Sequence, residues 1–180
     1  MTEEATDRDR DPDHNRFSVA AELLRGAQRG DAVAMNDLLN LLTPYVTRLC
    51  GPIALQDGAD AAQEALIAVF RGLRGVRDPQ ALYGWVRTIT VREAVRVARR
   101  AHRAVVAELD EVPAVGSPEL AADIRDVLDR LSPEHRAILV LREIEGVDEK
   151  AAAELLSISA GTAKSRLSRA KSSFRKAWTS

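Results

Sequence analysis

Apolar residues recur at every third or fourth position over most of the chain, which is the spacing of one face of an α-helix. No segment alternates apolar and polar residues as a half-buried β-strand does. The pattern therefore predicts an all-α fold made of short helices, with a long helix from about residue 80 to 103. Turn-forming pairs are expected to separate the helices at Gly30-Asp31, Gly51-Pro52, Asp57-Gly58 and Asp78-Pro79.

The helical segments fall into two groups, at residues 17–103 and 118–180. Residues 104–117 lose the apolar period and contain a proline and a glycine, so we expect a flexible acidic linker there. Residues 1–16 are polar and charged, which predicts a disordered tail. The expected architecture is two small helical domains joined by the linker.

The C-terminal group ends in a short helix (148–156), a three-residue turn and a final helix (160–178). This order predicts a helix-turn-helix, with Ser159 as the cap of the final helix. Ser132-Pro133-Glu134 is the start signal of the helix that precedes the helix-turn-helix, with Ser132 as its cap. The final helix has an apolar face at steps of three and four residues, and its other positions are basic. Four side chains in its first half suit phosphate or base edges: Lys164, Ser165, Arg166 and Arg169.

The net charge of −1 conceals two basic blocks. Residues 71–103 hold nine arginines against two acids, and residues 161–180 hold six lysines and arginines and no acid. Residues 104–134, by contrast, hold eight acids against two arginines. Two surfaces that meet phosphate are one interpretation, and two solvated charged faces are the other.

Other classes of protein find little support. No apolar run approaches the roughly 20 residues of a membrane span, and the N-terminus has no apolar core of a secretory signal, so a cytoplasmic protein is expected. Cys50 is the single cysteine, and no Cys/His cluster indicates a metal. The histidines lack a nucleophile at catalytic spacing, so we expect neither an enzyme nor a cofactor.

Residues 132–171, SPEHRAILVLREIEGVDEKAAAELLSISAGTAKSRLSRAK, resemble the C-terminal domain of sigma-70 family proteins of the extracytoplasmic-function (ECF) subgroup. That family carries G-T-V-K-S-R-L-x-R-A at the start of the recognition helix, and this chain has GTAKSRLSRA at 161–170. The resemblance implies that this helix reads the −35 promoter element. The residues expected to do so are Thr162, Lys164, Ser165, Arg166 and Arg169.

The N-terminal group resembles the promoter-melting domain of the same family. Residues 58–73 carry its D-x-x-Q-E pattern as Asp60, Gln63 and Glu64, on the side of the helix opposite an apolar side of Leu66, Val69 and Phe70. In the family, this polar face docks on the clamp coiled coil of the polymerase β′ subunit. Residues 81–100 resemble the helix that engages the −10 element. The arginines expected there are Arg87, Arg92, Arg96, Arg99 and Arg100.

The chain also departs from the family pattern. Arg92 and Arg96 stand where the family has Asn and Asp, which suggests added phosphate contacts. Ser157 replaces a turn glycine. The family has Glu-Ile-Ala where this chain has three alanines at 151–153, and Ala163 replaces a valine, so we expect the C-terminal domain to be marginally stable on its own.

The resemblance implies a non-catalytic sigma factor that binds core RNA polymerase, through the β′ clamp and the β subunit, and promoter DNA. An anti-sigma partner is expected as well. Two alternatives stay open. A stand-alone helix-turn-helix regulator would bind palindromic DNA as a dimer, and a sigma mimic would sequester a regulator without starting transcription.

Overall fold

The computed structural model describes residues 12–107 and 119–179, with side chains described for 17–103 and 123–179. The described residues contain no β-strand, and the predicted all-α fold is confirmed. Eight α-helices are numbered in chain order: α1 (Pro12–Gln28), α2 (Ala32–Ala54), α3 (Gly58–Gly72), α4 (Leu82–Ala107), α5 (Glu119–Asp129), α6 (Pro133–Leu139), α7 (Glu149–Leu155) and α8 (Ala160–Trp178). None of these helices combines the length and the apolar composition that crossing a bilayer requires.

Helices α1 to α4 form a bundle, which we call the N-terminal half. Asp31 caps the N-terminus of α2. Its Oδ1 accepts hydrogen bonds from the backbone N–H of Val33 (2.9 Å) and Ala34 (3.1 Å). The predicted break at Gly51-Pro52 is wrong, because α2 continues through both residues to Ala54. Its buried stripe explains why, since ending the helix earlier would expose apolar side chains that are fully inside. The stripe consists of Leu38, Leu42, Val46, Leu49 and Ile53.

Two predicted boundaries shift. Helix α1 begins at Pro12, inside the tail predicted to be disordered up to residue 16. Helix α4 runs to Ala107, four residues into the predicted linker. The rest of the predicted tail (1–11) and of the predicted linker (108–117) lies outside the described residues.

Helices α5 to α8 form the C-terminal half, and its helix starts follow the predicted caps. Ser132 Oγ accepts from the N–H of His135 (3.3 Å), so α6 starts where the Ser-Pro-Glu signal predicts. A turn of π-helix, Val140–Ile144, extends α6 before the chain reverses at Gly146, whose φ is +63°. A positive φ is easily reached by glycine, which has no Cβ.

The two halves pack on each other through one continuous buried core, in which α2 and α4 meet α6 and α7. At the centre of the contact lies Arg136, which is only 6% exposed. Its Nε donates to the carbonyl of Ile53 at the end of α2 (2.7 Å), and its Nη1 donates to the carbonyls of Leu131 (2.7 Å) and Leu128 (3.3 Å). Burial lowers the pKa of Arg136, yet an arginine in a protein stays protonated. A buried cation therefore joins the halves through helix-end carbonyls.

Replacing this cation should destabilise the whole chain. We expect Arg136→Met to lower the free energy of unfolding by about 2–4 kcal/mol, because it leaves buried carbonyl oxygens without a donor. Urea denaturation followed by circular dichroism measures the change. Arg130→Met is the matched control, since Arg130 is exposed in the same half. Equal midpoints for the two variants would contradict the role given to Arg136.

Candidate nucleic-acid interface

The N-terminal turn of α8 is held by its predicted cap. Ser159 Oγ accepts from the N–H of Thr162 (3.1 Å) and lies 2.8 Å from Thr162 Oγ1, which confirms the predicted helix start. The five residues predicted for the −35 element lie in this first half of α8. Arg166 is partly buried, and the other four are exposed: Thr162, Lys164, Ser165 and Arg169. The opposite side of the helix packs on the core through Ala163 and Ala170.

Arg169 is held along the helix surface by the preceding turn. Its Nη2 donates to Ser165 Oγ (3.2 Å) and its Nε to the Ser165 carbonyl (3.3 Å). The guanidinium thus lies beside the hydroxyl of Ser165, which in turn donates to the carbonyl of Thr162 (3.1 Å). The arrangement places a planar donor group at the exposed surface, as bidentate recognition of phosphate or guanine requires.

His135 of α6 adds a feature that sequence reasoning did not assign to the interface. Burial lowers its pKa first, and the charges of Arg166 and Arg169 lower it further. The positive charge of α8 is thus a second cause, after burial, of the lowered pKa of His135. Its position beside α8 depends on tertiary packing, so the sequence pattern does not predict it.

A second cationic row lies on α4, at Arg92, Arg96, Arg99 and Arg103. Their spacing of four, three and four residues puts them on one side of the helix. They line a cleft of about 360 Å³ whose far wall is Arg166 of α8, with Glu134 beside it. The structure therefore brings residues predicted for the −10 element and a residue predicted for the −35 element into one cleft.

The arginines predicted for the −10 element divide by the half of the chain that they contact. Arg96 Nη2 pairs with Glu93 (2.6 Å) and Glu64 (3.0 Å), and Arg100 lies 3.8 Å from Glu64, all within the N-terminal half. Arg87, Arg92 and Arg99 instead reach acids or backbone of the C-terminal half.

Arg99 forms one of these contacts between the halves with an acid. Its Nε forms an ion pair with the carboxylate of Glu134. Burial by itself would raise the pKa of Glu134. The hydrogen bond from Arg99, a backbone N–H and the charges of Arg99 and Arg166 outweigh that effect and lower the pKa. Glu134 is therefore held as a carboxylate in the cleft.

Two of the three side chains of the polar triplet on α3 are exposed to solvent. Asp60 and Gln63 are exposed and Glu64 is partly buried, while the core side of α3 consists of Ala61, Ala62, Ala65 and Val69. The placement of Phe70 on the core side is wrong, because Phe70 is 52% exposed. Phe70 lies seven residues after Gln63, which is two helical turns, so its ring shares the exposed side of Gln63.

Ile67 was missed by sequence reasoning, and it is 40% exposed. It lies seven residues after Asp60, which is two helical turns, and so it shares the face of the polar triplet. The α3 face therefore combines carboxylate and carboxamide groups with an exposed apolar centre, as protein-binding surfaces do. The spacing of seven was the signal in the sequence.

Comparisons with known proteins agree with this geometry. The family model described as Sigma-70, region 4 matches residues 121–173, which include the helix-turn-helix. The ECF RNA polymerase sigma factor SigE of Mycolicibacterium smegmatis is 34% identical over 163 residues, 81% of this chain and 63% of the relative, so the chain spans less than two thirds of that protein. SigM of Mycobacterium tuberculosis is 31% identical over 157 residues, 84% of this chain and 80% of the relative.

The fold also has a solved counterpart. The sigma factor RpoE from Bartonella quintana, in its co-crystal structure with the anti-sigma factor NepR, superimposes with a TM-score of 0.63 at 23% identity, over 80% of this chain and 96% of that one. On the sequence identity to SigM and the region 4 match, this chain belongs to the ECF subgroup of RNA polymerase sigma factors.

Proposed function

We propose that this chain binds core RNA polymerase and directs it to promoters by contacting a −35 and a −10 element. The observation that supports the proposal is that three helices expose three different kinds of surface. Helix α8 exposes a capped, basic first half, α4 exposes a row of arginines, and α3 exposes a polar face with an apolar centre.

At the −35 element, α8 enters the major groove as the second helix of a helix-turn-helix. Arg166 and Arg169 supply planar donors for guanine edges or phosphates, and Lys164 supplies a point charge for phosphate. The N–H groups of the first turn, near Thr162, point toward a phosphate. Affinity comes mainly from phosphates, and sequence selection comes from base edges.

At the −10 element, the α4 arginines hold the phosphates of the melted strand. Single-stranded DNA is bound by cationic grooves together with groups that receive unstacked bases. Extruding a base from the stack costs a few kcal/mol, which the added phosphate contacts offset. Arg92 and Arg96 strengthen this row where the family has polar or acidic residues.

On the polymerase, the α3 face docks against the β′ clamp, and we expect contact with the β subunit as well. Asp60 and Gln63 supply exposed polar groups around the apolar side chain of Ile67. Interfaces of this kind bury an apolar centre inside a polar rim.

An anti-sigma factor is the regulatory partner that we propose. An open apolar groove of about 520 Å³ lies between α5, α6 and α8, with side chains that include Leu128, Leu139, Ile144 and Phe174. Lys171, Arg175 and Glu143 also line it, and Lys171 pairs with Glu143 (2.8 Å). An amphipathic helix fits the apolar floor, and an acid on that helix could pair with Arg175.

The two alternatives, a stand-alone regulator and a sigma mimic, predict different results from the proposed sigma factor. A stand-alone regulator leaves the α3 face without a role, and a sigma mimic gives no transcript. Run-off transcription with core polymerase on a promoter library decides among the three. A transcript that depends on this chain and starts at a defined site supports the proposal, and its absence with active core enzyme overturns it.

Changes in the first half of α8 should weaken binding to the −35 element. We expect Arg166→Ala and Arg169→Ala each to reduce promoter affinity about tenfold, because each removes a contact of about 1–3 kcal/mol. Fluorescence anisotropy at several salt concentrations measures the loss. Arg175→Ala is the matched control, because Arg175 carries the same charge and makes the same backbone contact, Nε to the Lys171 carbonyl (3.3 Å), at the far end of α8. An equal loss with Arg175→Ala would mean that α8 binds by net charge alone.

The α3 face should control assembly with polymerase. We expect the triple variant Asp60→Ala/Gln63→Ala/Glu64→Ala to lower affinity for core enzyme at least about tenfold, since it removes the polar rim of the interface. Asp60→Ala/Gln63→Ala should give most of that loss and leave the contacts of Glu64 with Arg96 and Arg100 intact. Co-purification and competition binding provide the measurement, with the exposed Asp37→Ala on α2 as control. Unchanged assembly of the triple variant would rule out this docking face.

Arg96 offers a clean test of the α4 row, because its ion pairs lie within the N-terminal half. We expect Arg96→Ala to slow open-complex formation several-fold, since one phosphate contact is lost. Because Arg96 also pairs with Glu64 of the α3 face, the rate is measured at a saturating concentration of polymerase. Permanganate reactivity of thymines in the melted region follows the opening. The control is Arg25→Ala, an exposed arginine on α1. Normal melting by the Arg96 variant would remove this residue from the −10 contacts.

A further inference from the structure

The first turn of α6 lies beside the part of α8 that carries the proposed promoter contacts. Helix α6 packs on α8 within the C-terminal half, and Glu134 of α6 lines the same cleft as Arg166 of α8. His135 is the next residue along α6, and its side chain is partly exposed to solvent. The charges of Arg166 and Arg169 both act on this ring. A histidine from a second helix therefore borders the two arginines that are proposed to contact DNA.

Local contacts hold these side chains in place. The backbone N–H of His135 donates to the carbonyl (2.9 Å) and to Oγ (3.3 Å) of Ser132, so the first turn of α6 is closed on its cap. On α8, Ser165 accepts from Arg169 through both its hydroxyl and its carbonyl. Arg166 lies three residues before Arg169, which puts the two on the same side of the helix. The histidine and the two arginines thus form one group, which we call the basic cluster.

The charges around His135 keep its ring neutral in the free protein. Burial lowers the pKa of His135 first, and the charges of Arg166 and Arg169 lower it further. Among the described side chains, Glu134 is the acid that acts on the ring in the opposite direction, and it forms an ion pair with Arg99 of α4. The pKa of His135 therefore lies below the usual value of about 6.5, and most rings carry no charge at pH 7.

A DNA phosphate bound at the basic cluster would reverse this balance. Its negative charge offsets the charges of Arg166 and Arg169, and an opposite charge within about 4–6 Å favours the charged form of an ionisable group. Protonated histidine also donates hydrogen bonds from both ring nitrogens, and charge-assisted hydrogen bonds to phosphate oxygens are strong ones. Both effects favour the imidazolium ion. Contact between this ring and a phosphate therefore comes with the uptake of a proton.

We propose that His135 is a further DNA contact of the −35 interface, which binds a backbone phosphate in its protonated form beside Arg166 and Arg169. This contact from α6 rests on the proposed function of α8, and it adds a second helix to the recognition helix. Phosphate contacts position a protein on the duplex and carry no sequence information directly. His135 therefore contributes affinity and orientation, and base selection stays with α8.

The sign of the pH dependence follows from the change in protonation. Because the pKa of His135 is higher in the complex than in the free protein, the added affinity is complete below the free pKa. It is lost as the pH rises through the pKa of the complex, by at most about tenfold per pH unit. The free pKa lies below about 6.5, so we expect affinity to rise as the pH falls from neutral toward 6.

Fluorescence anisotropy tests the contact with the full chain and a short duplex that this chain selects from a random pool. We expect affinity to rise about three- to tenfold from about pH 7.5 to about pH 6 at constant salt. The salt dependence should steepen over the same range, by about 0.9 in the slope of log affinity against log salt, because one phosphate contact is added. His135→Gln should abolish both changes. His135→Lys should bind tightly at both pH values, since lysine stays protonated throughout.

His102→Gln is the matched control, because His102 is an exposed histidine on α4. This variant should keep the rise in affinity at low pH. Nuclear magnetic resonance then follows the proton itself, and His135→Gln identifies the signal of His135 among the three histidines of the chain. We expect the pKa of His135 to be higher in the duplex complex than in the free chain.

Two results would overturn this contact. An equal rise in affinity with His135→Gln would show that another group takes up the proton. A His135 signal that titrates identically with and without the duplex would show that no phosphate reaches the ring. Either result leaves promoter-dependent transcription intact, whereas a chain that gives no transcript fails as a sigma factor even where proton uptake on DNA is seen. The two failures are therefore distinguishable.

Discussion

The buried guanidinium of Arg136 is the constraint on which the arrangement of the whole chain depends. A cation inside a protein is tolerated only where hydrogen-bond acceptors surround it. The acceptors here are carbonyls of its own half and the carbonyl of Ile53, at the end of a helix in the other half. Because Ile53 is the only one of the three acceptors from the N-terminal half, separating the halves removes its hydrogen bond and admits water to the others. The contact between halves is therefore part of the fold of this chain and extends its hydrophobic core.

Charge neutralisation explains how two basic surfaces can face each other across a cleft. Arginines of α4 and α8 repel one another at short range, and acids placed among them reduce the repulsion. Glu64, Glu93 and Glu134 pair with the α4 arginines, and Glu145 pairs with Arg48 and Arg87. Acids of both halves thus reduce the repulsion between the arginines that face each other across the cleft.

Local features were predictable from the sequence, and contacts between distant segments were not. The caps at Ser132 and Ser159 depend on neighbours within three residues, so their serine signals sufficed. The bond from Arg136 to Ile53 spans 83 residues, and that from Tyr45 to Glu145 spans 100. Periodicity tells which side of a helix is apolar but not which helix covers it. The same lack of information hid the contact between the two predicted domains. Phe70 was misplaced for a different reason, since its spacing of seven residues from Gln63 already put it on the exposed side.

Ser157 shows how a single turn residue takes part in the contact between the two halves. Its φ of +55° is a backbone conformation that glycine adopts more easily than serine, so serine carries a small strain here. A glycine at this position would relieve the strain, yet it has no hydroxyl to accept from Arg92 Nη2. The Leu155 carbonyl at the end of α7 accepts from the same guanidinium. Arg92 of the N-terminal half therefore stabilises the turn between α7 and α8 from outside the helix-turn-helix.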